Sequence, residues 1–124
     1  MTKTRTHITG VRTVGIPVSD QDRALAFYTG TLGLEKRLDV PFGEGRWVEV
    51  APASAVTSVA LVQTHEGDPI GVETGVRFES QDVPGDHAEL RAIGVDVDEL
   101  IPSPVAMFVF RDPDGNRLEI VEGG

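Results

Sequence analysis

The chain repeats one order of predicted elements in its two halves, and this repeat restricts the folds that it can adopt. Asp20 and Asp82 each begin an amphipathic helix, and Gly33 and Gly94 each end one. The two helix starts lie 62 residues apart, which is half of the 124-residue chain. A chance likeness between two amphipathic helices is the alternative. We favour a repeat because the flanking strands recur in the same order.

One predicted strand precedes each helix, and three follow it. Apolar residues at alternate positions predict half-buried strands, and clusters of Gly, Pro and Asp between them predict turns. The predicted strands are residues 11–18, 34–40, 46–51 and 57–63, then 72–80, 95–100, 105–111 and 117–122. We therefore expect one domain over residues 1–124, with module one at about 11–66, module two at about 71–122, and a flexible tail at 1–10.

The composition argues against several classes of protein. The chain has no cysteine, which excludes disulfides and thiolate metal sites, and its net charge of −9 argues against a nucleic-acid partner. The same charge is compatible with a cationic ligand, although it equally serves solubility alone. The N-terminus is polar and no apolar run approaches bilayer length, so we expect a cytoplasmic protein with no membrane partner.

Two segments near opposite ends of the chain carry a family resemblance. One is residues 16–28, IPVSDQDRALAFY, followed by Leu-Gly-Leu at 32–34, and the other is residues 110–120, FRDPDGNRLEI. They resemble the first strand and helix, and the final hairpin, of vicinal-oxygen-chelate proteins, the glyoxalase/bleomycin-resistance/dioxygenase superfamily. In the hairpin, Pro113 presets φ and Gly115 permits a tight turn. Together the two segments extend the resemblance over nearly the whole chain.

The resemblance implies an α+β fold of two βαβββ modules, whose curved mixed sheets surround a cup-shaped cavity with the helices packed on the outer face. Unpaired sheet edges favour a homodimer, and the cup would close within one chain or across that dimer. Alternation assigns to the helix side Val14, Ile16, Val48, Val50, Ala60, Val62, Val76, Phe78, Leu118 and Ile120. The concave side would carry Thr13, Gly15, Trp47, Glu49, Leu61, Gln63, Gly75, Arg77, Glu119 and Val121.

Metal-dependent members of the superfamily bind a divalent ion through the first and fourth strands of each module. The matching positions are Thr13, Leu61, Gly75 and Glu119, and a slip of two residues would bring Gln63 into the set. Only Glu119 is a strong ligand in the first alignment, and one or two donors are too few for such a site. The three histidines are not spaced as a metal pair. We therefore expect no metal and no cofactor.

The presumed cavity has an acidic and an aromatic component. Glu119 either pairs with Arg77, which we favour, or serves as a general base, which makes it the candidate catalytic residue. Trp47 beside Glu49 suits a cationic or planar ligand, and equally suits a core or a dimer interface. The candidate ligand-binding residues are Thr13, Trp47, Glu49, Leu61, Gln63, Arg77 and Glu119.

Three functions are compatible with these residues. We favour a metal-free, non-catalytic protein that binds a small cationic or aromatic compound, because the bleomycin-resistance members that the chain resembles are acidic dimers that sequester their antibiotic. The alternative is a metal-dependent lyase or oxidoreductase of the glyoxalase or dioxygenase type. A third is a structural or auxiliary protein with an unfilled cup. The sequence does not identify the ligand.

Overall fold

A computed structural model describes residues 5–123, which form two mixed β-sheets with helical residues packed on one face of each. The first half comprises β1 (Thr13–Val18), α1 (Gln21–Leu25) with a π-helical continuation (Ala26–Thr31), β2 (Glu35–Phe42), β3 (Gly45–Ala51) and β4 (Ser58–Gln63). The second half comprises β5 (Glu73–Ser80), α2 (Val83–Ala92), β6 (Met107–Arg111) and β7 (Arg117–Glu122).

The predicted α+β fold and its repeat are confirmed. The first sheet has the order β1-β4-β3-β2 and the second β5-β7-β6, and in each the strand before the helix pairs in parallel with the last strand of its half. Asp20 and Asp82 each cap a helix by accepting a backbone N–H at 3.0 Å. Gly33 and Gly94 follow the helices with φ of +79° and +92°, which glycine adopts without steric cost.

The strand predicted at residues 95–100 is not regular, so the second sheet has three strands. This segment follows the edge of β6 with isolated bridges at Val97 and Ile101. Asp98 donates its N–H to the Val109 carbonyl at 2.8 Å, but the pairing does not continue as a ladder. Prolines at 102 and 104 lack the N–H that a ladder requires. The register also shifts by one residue between the Val97–Phe110 and Ile101–Met107 bridges, so no continuous ladder forms over residues 95–100.

The helix side of both sheets forms one apolar core, and the predicted core residues of β1, β3, β5 and β7 belong to it. The exception is β4, where Val59 and Leu61 face the helix and the predicted Ala60 and Val62 do not. Leu61 lies opposite Ile16 of β1, and directly paired residues share a face of the sheet. Four consecutive apolar residues give no alternation, so the pattern could not decide which of them faces the core.

A buried hydrogen-bond network around the Asp112 carboxylate joins the two halves. Oδ2 of Asp112 accepts the Tyr28 hydroxyl at 2.8 Å and the Asn116 side-chain amide at 3.0 Å. The same Asn116 amide donates to the Pro17 carbonyl at 2.7 Å, and Oδ1 of Asn116 accepts the Val72 N–H at 3.0 Å. The network therefore connects β1, the first helix and the start of the second half through one turn.

The turn between β6 and β7 also contacts the first half at its surface. Asp114 accepts the Ser19 N–H at 3.0 Å and a guanidinium N–H of Arg23 at 2.7 Å. Gly71, in the connection between the halves, has φ of +70°, and a Cβ there would lie 3.3 Å from the Asp114 carbonyl oxygen. Only glycine allows this close approach of the connection to the turn.

The structure bears on the predicted lack of a membrane span and, in part, on the predicted N-terminal tail. Within residues 5–123, every helix is too short or too polar to cross a bilayer. Residues 1–4 of the predicted tail lie outside the described residues, and residues 5–10 precede the first strand with exposed side chains.

We expect Tyr28→Phe to destabilise the fold by about 1–3 kcal/mol, because the Asp112 carboxylate loses a buried donor. Burial and the neighbouring Asp112 raise the pKa of Tyr28, so the phenol stays protonated and donates. Urea denaturation measures the change. Thr29→Val is the matched control, since the Thr29 hydroxyl donates only to the Leu25 carbonyl on its own helix. Equal stability of Tyr28→Phe and the parent chain would show that the Tyr28 hydroxyl contributes nothing to the fold.

Candidate functional site

The face of the first sheet that points away from the helix holds a buried carboxylate, Glu49. We call this surface the open face of the first sheet, and it is defined by Thr13, Gly15, Trp47, Glu49, Ser58, Ala60 and Val62. Glu49 Oε2 accepts the Trp47 indole N–H at 2.7 Å, and Oε1 accepts the Ser58 hydroxyl at 2.6 Å. Strand alternation places Trp47 and Glu49 on one side of β3.

The Glu49 carboxylate is held in its charged form. Hydrogen bonds from Ser58 and then Trp47 lower the pKa of Glu49, and they outweigh burial, which acts in the opposite direction. The nearest cation is Arg12, whose guanidinium lies 4.0 Å from Oε2. The Glu49 side chain is only 7% exposed. This face therefore presents one negative charge stabilised mostly by neutral donors.

Apolar and aromatic side chains surround this charge. Val40 pairs with Trp47 across the β2–β3 ladder, and Leu38 pairs with Glu49. The Phe42 and Trp47 rings meet edge-on, with centroids 5.8 Å apart. Phe42 is 68% exposed although it is large and apolar. Exposed aromatic surface beside a buried charge is a surface on which a ligand or a protein partner gains contact area.

The corresponding face of the second sheet is charged. Arg77 Nε donates to Glu119 Oε1 at 3.1 Å, which confirms the predicted pairing of these two residues. Arg117 pairs with Glu73 at 3.0 Å on neighbouring strands of the same sheet. The two modules therefore share an architecture but present different chemistry: the first a carboxylate among apolar groups, the second ion pairs.

The predicted site residues fall into two separate clusters. Thr13, Trp47 and Glu49 belong to the first sheet, whereas Arg77 and Glu119 belong to the second. Among residues 5–123, no hydrogen bond or ion pair joins the two clusters. The predicted residues are therefore divided between the two sheets.

Two predicted site residues lie on the wrong face. Leu61 is 1% exposed in the core, where its carbonyl accepts the Gln21 side-chain amide at 2.9 Å. Gln63, two residues further along the strand, donates to the Ser19 carbonyl at 2.9 Å, beside the helix start. Both follow from the one-residue error in the facing of β4, and in their place Ser58 and Ala60 lie on the open face.

The donor set does not fit the divalent metal that the superfamily's enzymes use. In the structure Ala60, not Leu61, faces the open side of β4. The four positions that hold the metal in the superfamily's enzymes are therefore Thr13, Ala60, Gly75 and Glu119. Ala60 has only a methyl side chain, so it offers no ligand either. Glu119 is the one strong ligand of the set, and it is engaged by Arg77. Within the described residues, no three His, Cys, Asp or Glu side chains form a cluster that could hold an ion. Sites of this kind need at least three protein donors.

A cavity of about 850 Å³ lies between residues 52–59 and strand β5, and Ser58 of the open face is among its lining residues. It follows the junction between the two halves, and Val14 and Phe78 contribute to its lining. Of the predicted ligand-binding residues, Arg77 is the one that lines it. Glu49 and Trp47 do not line this cavity, so the buried carboxylate and its indole donor belong to the open face alone.

Sequence reasoning missed two residues of this arrangement. Ser58 lies inside the predicted strand 57–63 without an assigned role, yet its hydroxyl is one of the two donors to Glu49. Arg12 lies inside the predicted strand 11–18, yet the structure places it before β1, with its guanidinium 4.0 Å from Glu49. The sequence does not show how β1 and β4 are aligned. Their parallel pairing places Ser58 opposite Thr13, on the same face as Glu49.

Comparison with known proteins identifies the family. The model of the Glyoxalase/Bleomycin resistance protein/Dioxygenase superfamily matches residues 7–120. The chain belongs to this superfamily, as its two terminal motifs predicted.

Several relatives resemble the chain over most of their length. TnmS3, an antibiotic binding protein from Streptomyces sp. CB03234, has a TM-score of 0.85 and 36% identity, covering 97% of this chain and 100% of that one. A superfamily member from Sphaerobacter thermophilus has a TM-score of 0.85 and 35% identity over 95% of this chain and 100% of its own. YetH of Bacillus subtilis is 32% identical over 90% of this chain and 97% of its own.

We expect Glu49→Gln to destabilise the fold at neutral pH, with a loss that shrinks in acid. The folded chain keeps this carboxylate charged to a lower pH than the unfolded chain does. Its stabilisation is therefore complete above the unfolded pKa, about 4.3, and is lost as the pH falls through the folded pKa. Urea denaturation of both proteins from neutral pH to about pH 3 measures the difference.

The control is Glu44→Gln, which removes one carboxylate from the exposed turn between β2 and β3. A difference between Glu49→Gln and the parent chain that stays constant across this pH range would contradict a lowered pKa at Glu49.

Proposed function

We propose that this chain is a metal-free binding protein for a small cationic or aromatic compound, acting by sequestration rather than catalysis. The observation that carries the proposal is the charged Glu49 carboxylate, held beside Trp47 on a face that also exposes the aromatic ring of Phe42. A buried charge with mostly neutral partners attracts an opposite charge, and the neighbouring rings of Trp47 and Phe42 favour a planar or cationic group.

The side chains at the family's site positions do not favour a catalytic role. Glu119, the predicted general base, accepts a hydrogen bond from Arg77, which favours a structural role for it. The four positions used by the superfamily's metal enzymes offer one strong ligand. TnmS3 is an antibiotic binding protein and has 36% identity over 97% of this chain, which supports an antibiotic or a similar small molecule as the ligand.

The binding site is completed by a second copy of the chain. The two clusters of predicted site residues lie on separate sheets, and Val40 and Phe42 leave apolar surface exposed beside Trp47. A homodimer that places the second sheet of one copy over the first sheet of the other would cover this surface and enclose a cup. The ion pair of Arg77 and Glu119 would then face Glu49 across the cup. A cytoplasmic location stays a prediction.

We expect calorimetric titration with a basic glycopeptide antibiotic to release heat, and Glu49→Gln to weaken binding at least tenfold. The loss follows from removing a charge that is buried and hydrogen-bonded. Glu44→Gln is the control, because it changes the net charge equally from an exposed turn. Absence of heat with the parent chain would count against this class of ligand. Stoichiometric zinc, nickel, manganese or iron in protein purified without chelator would overturn the metal-free proposal.

We expect sedimentation at micromolar concentration to give twice the 13.3 kDa mass of one chain. Phe42→Ser should shift the equilibrium towards the monomer, since it removes exposed apolar surface from the face to be covered. Val56→Ser is the matched control, because Val56 is 92% exposed in a loop outside that face. A parent chain that sediments as a monomer would refute the dimer.

A further inference from the structure

Among residues 5–123, the cation that pairs with Glu49 is Arg12. An Arg12 guanidinium nitrogen lies 4.0 Å from Glu49 Oε2, the oxygen that also accepts the Trp47 indole N–H. The Arg12 side chain is 80% exposed, whereas that of Glu49 is 7% exposed. The guanidinium therefore approaches the buried carboxylate from the solvent side. A ligand would have to approach from the same side.

We propose that Arg12 is a resident cation that occupies the position of the ligand's cationic group, and that the ligand must displace it to reach Glu49. The proposal rests on the proposed function and deepens it: the ligand class is an aromatic compound bearing an amidinium, guanidinium or ammonium group. Arg12 is then a residue that determines specificity, because it sets the charge that a ligand needs in order to bind.

The backbone of Arg12 is fixed, so displacement involves only its side chain. The Arg12 carbonyl accepts the Ser58 N–H at 3.0 Å. Ser58 in turn donates to Glu49 at 2.6 Å. The residue is thus anchored beside the carboxylate, while its long side chain extends into solvent and can rotate away without any change in the sheet.

The contact is weak enough to be replaced. A separation of 4.0 Å is at the outer limit of an ion pair, and solvent screens a guanidinium that is so exposed. A carboxylate has about four acceptor positions, and Ser58 and Trp47 occupy one on each oxygen of Glu49. Acceptor positions therefore remain for a ligand cation, which can form the shorter hydrogen bonds that Arg12 does not make.

This arrangement selects ligands by charge. A neutral aromatic compound gains contact with Trp47 and Phe42, but it has no charge with which to replace the ion pair between Arg12 and Glu49. A cationic aromatic compound gains the same ring contact and substitutes its own charge. Removing the Arg12 charge should therefore favour cationic ligands and leave neutral ligands unaffected.

Benzamidine and benzamide test the proposal, because they are nearly the same size and differ in charge. Trp47 is the sole tryptophan of the chain, so its fluorescence reports binding at this face. We expect Arg12→Gln to tighten benzamidine binding about two- to fivefold, the range that one exposed ion pair contributes, and to leave benzamide unchanged. Arg12→Lys should bind benzamidine like the parent chain. Arg91→Gln, an equal change of charge on an exposed residue of α2, is the control.

The possible results separate the two proposals. If Arg12→Gln leaves benzamidine binding unchanged or weakens it, the displacement of Arg12 is refuted, and the proposed function stands as long as benzamidine still binds. If Arg91→Gln tightens binding as much as Arg12→Gln does, general charge explains the effect and the proposal for Arg12 fails. If neither compound alters Trp47 fluorescence, both proposals fail. Circular dichroism verifies folding, and the Arg12 variants change an exposed side chain.

Discussion

The buried carboxylate of Asp112 holds the two halves of this chain in one arrangement, and the rest of the structure depends on it. Tyr28 and Asn116 donate to its Oδ2, while the N–H groups of Asp114 and Asn116 donate to its Oδ1 at 3.0 and 2.9 Å. A buried carboxylate is costly unless its acceptors are satisfied, and here donors from both halves satisfy them. The relative position of the two sheets therefore follows from where those donors lie.

The positions of helices and strands were easier to predict from the sequence than the side of the sheet that each strand residue faces. Helix caps at Asp20 and Asp82 and the glycines that follow the helices depend on local backbone chemistry, which adjacent residues specify. The facing of β4 does not, because a strand with apolar residues on both sides carries no alternation. Leu61 and Gln63 were assigned to the wrong face for this reason. The segment at 95–100 alternates as predicted, but a one-residue shift in its pairing with β6 prevents a regular strand.

The candidate site was predictable only in part. Trp47 and Glu49 were found because they alternate along one strand, and Arg77 with Glu119 because opposite charges on paired strands attract. Ser58 and Arg12 were missed because their roles depend on the parallel register of β1 with β4, which connects residues some 45 positions apart. Contacts of that sequence separation have no local signal, and they decide the charge state of Glu49.

The close approach of Gly71 to the turn at Asp114 has a consequence for how the halves depend on each other. The connection at residues 66–70 is exposed, whereas the hydrogen bonds at Asp112 that join the two halves are buried. Covalent continuity through this loop therefore contributes little to holding the sheets together. A protease cut there would leave a nicked molecule whose two fragments remain associated, because each fragment supplies the partners that the other's buried polar groups require.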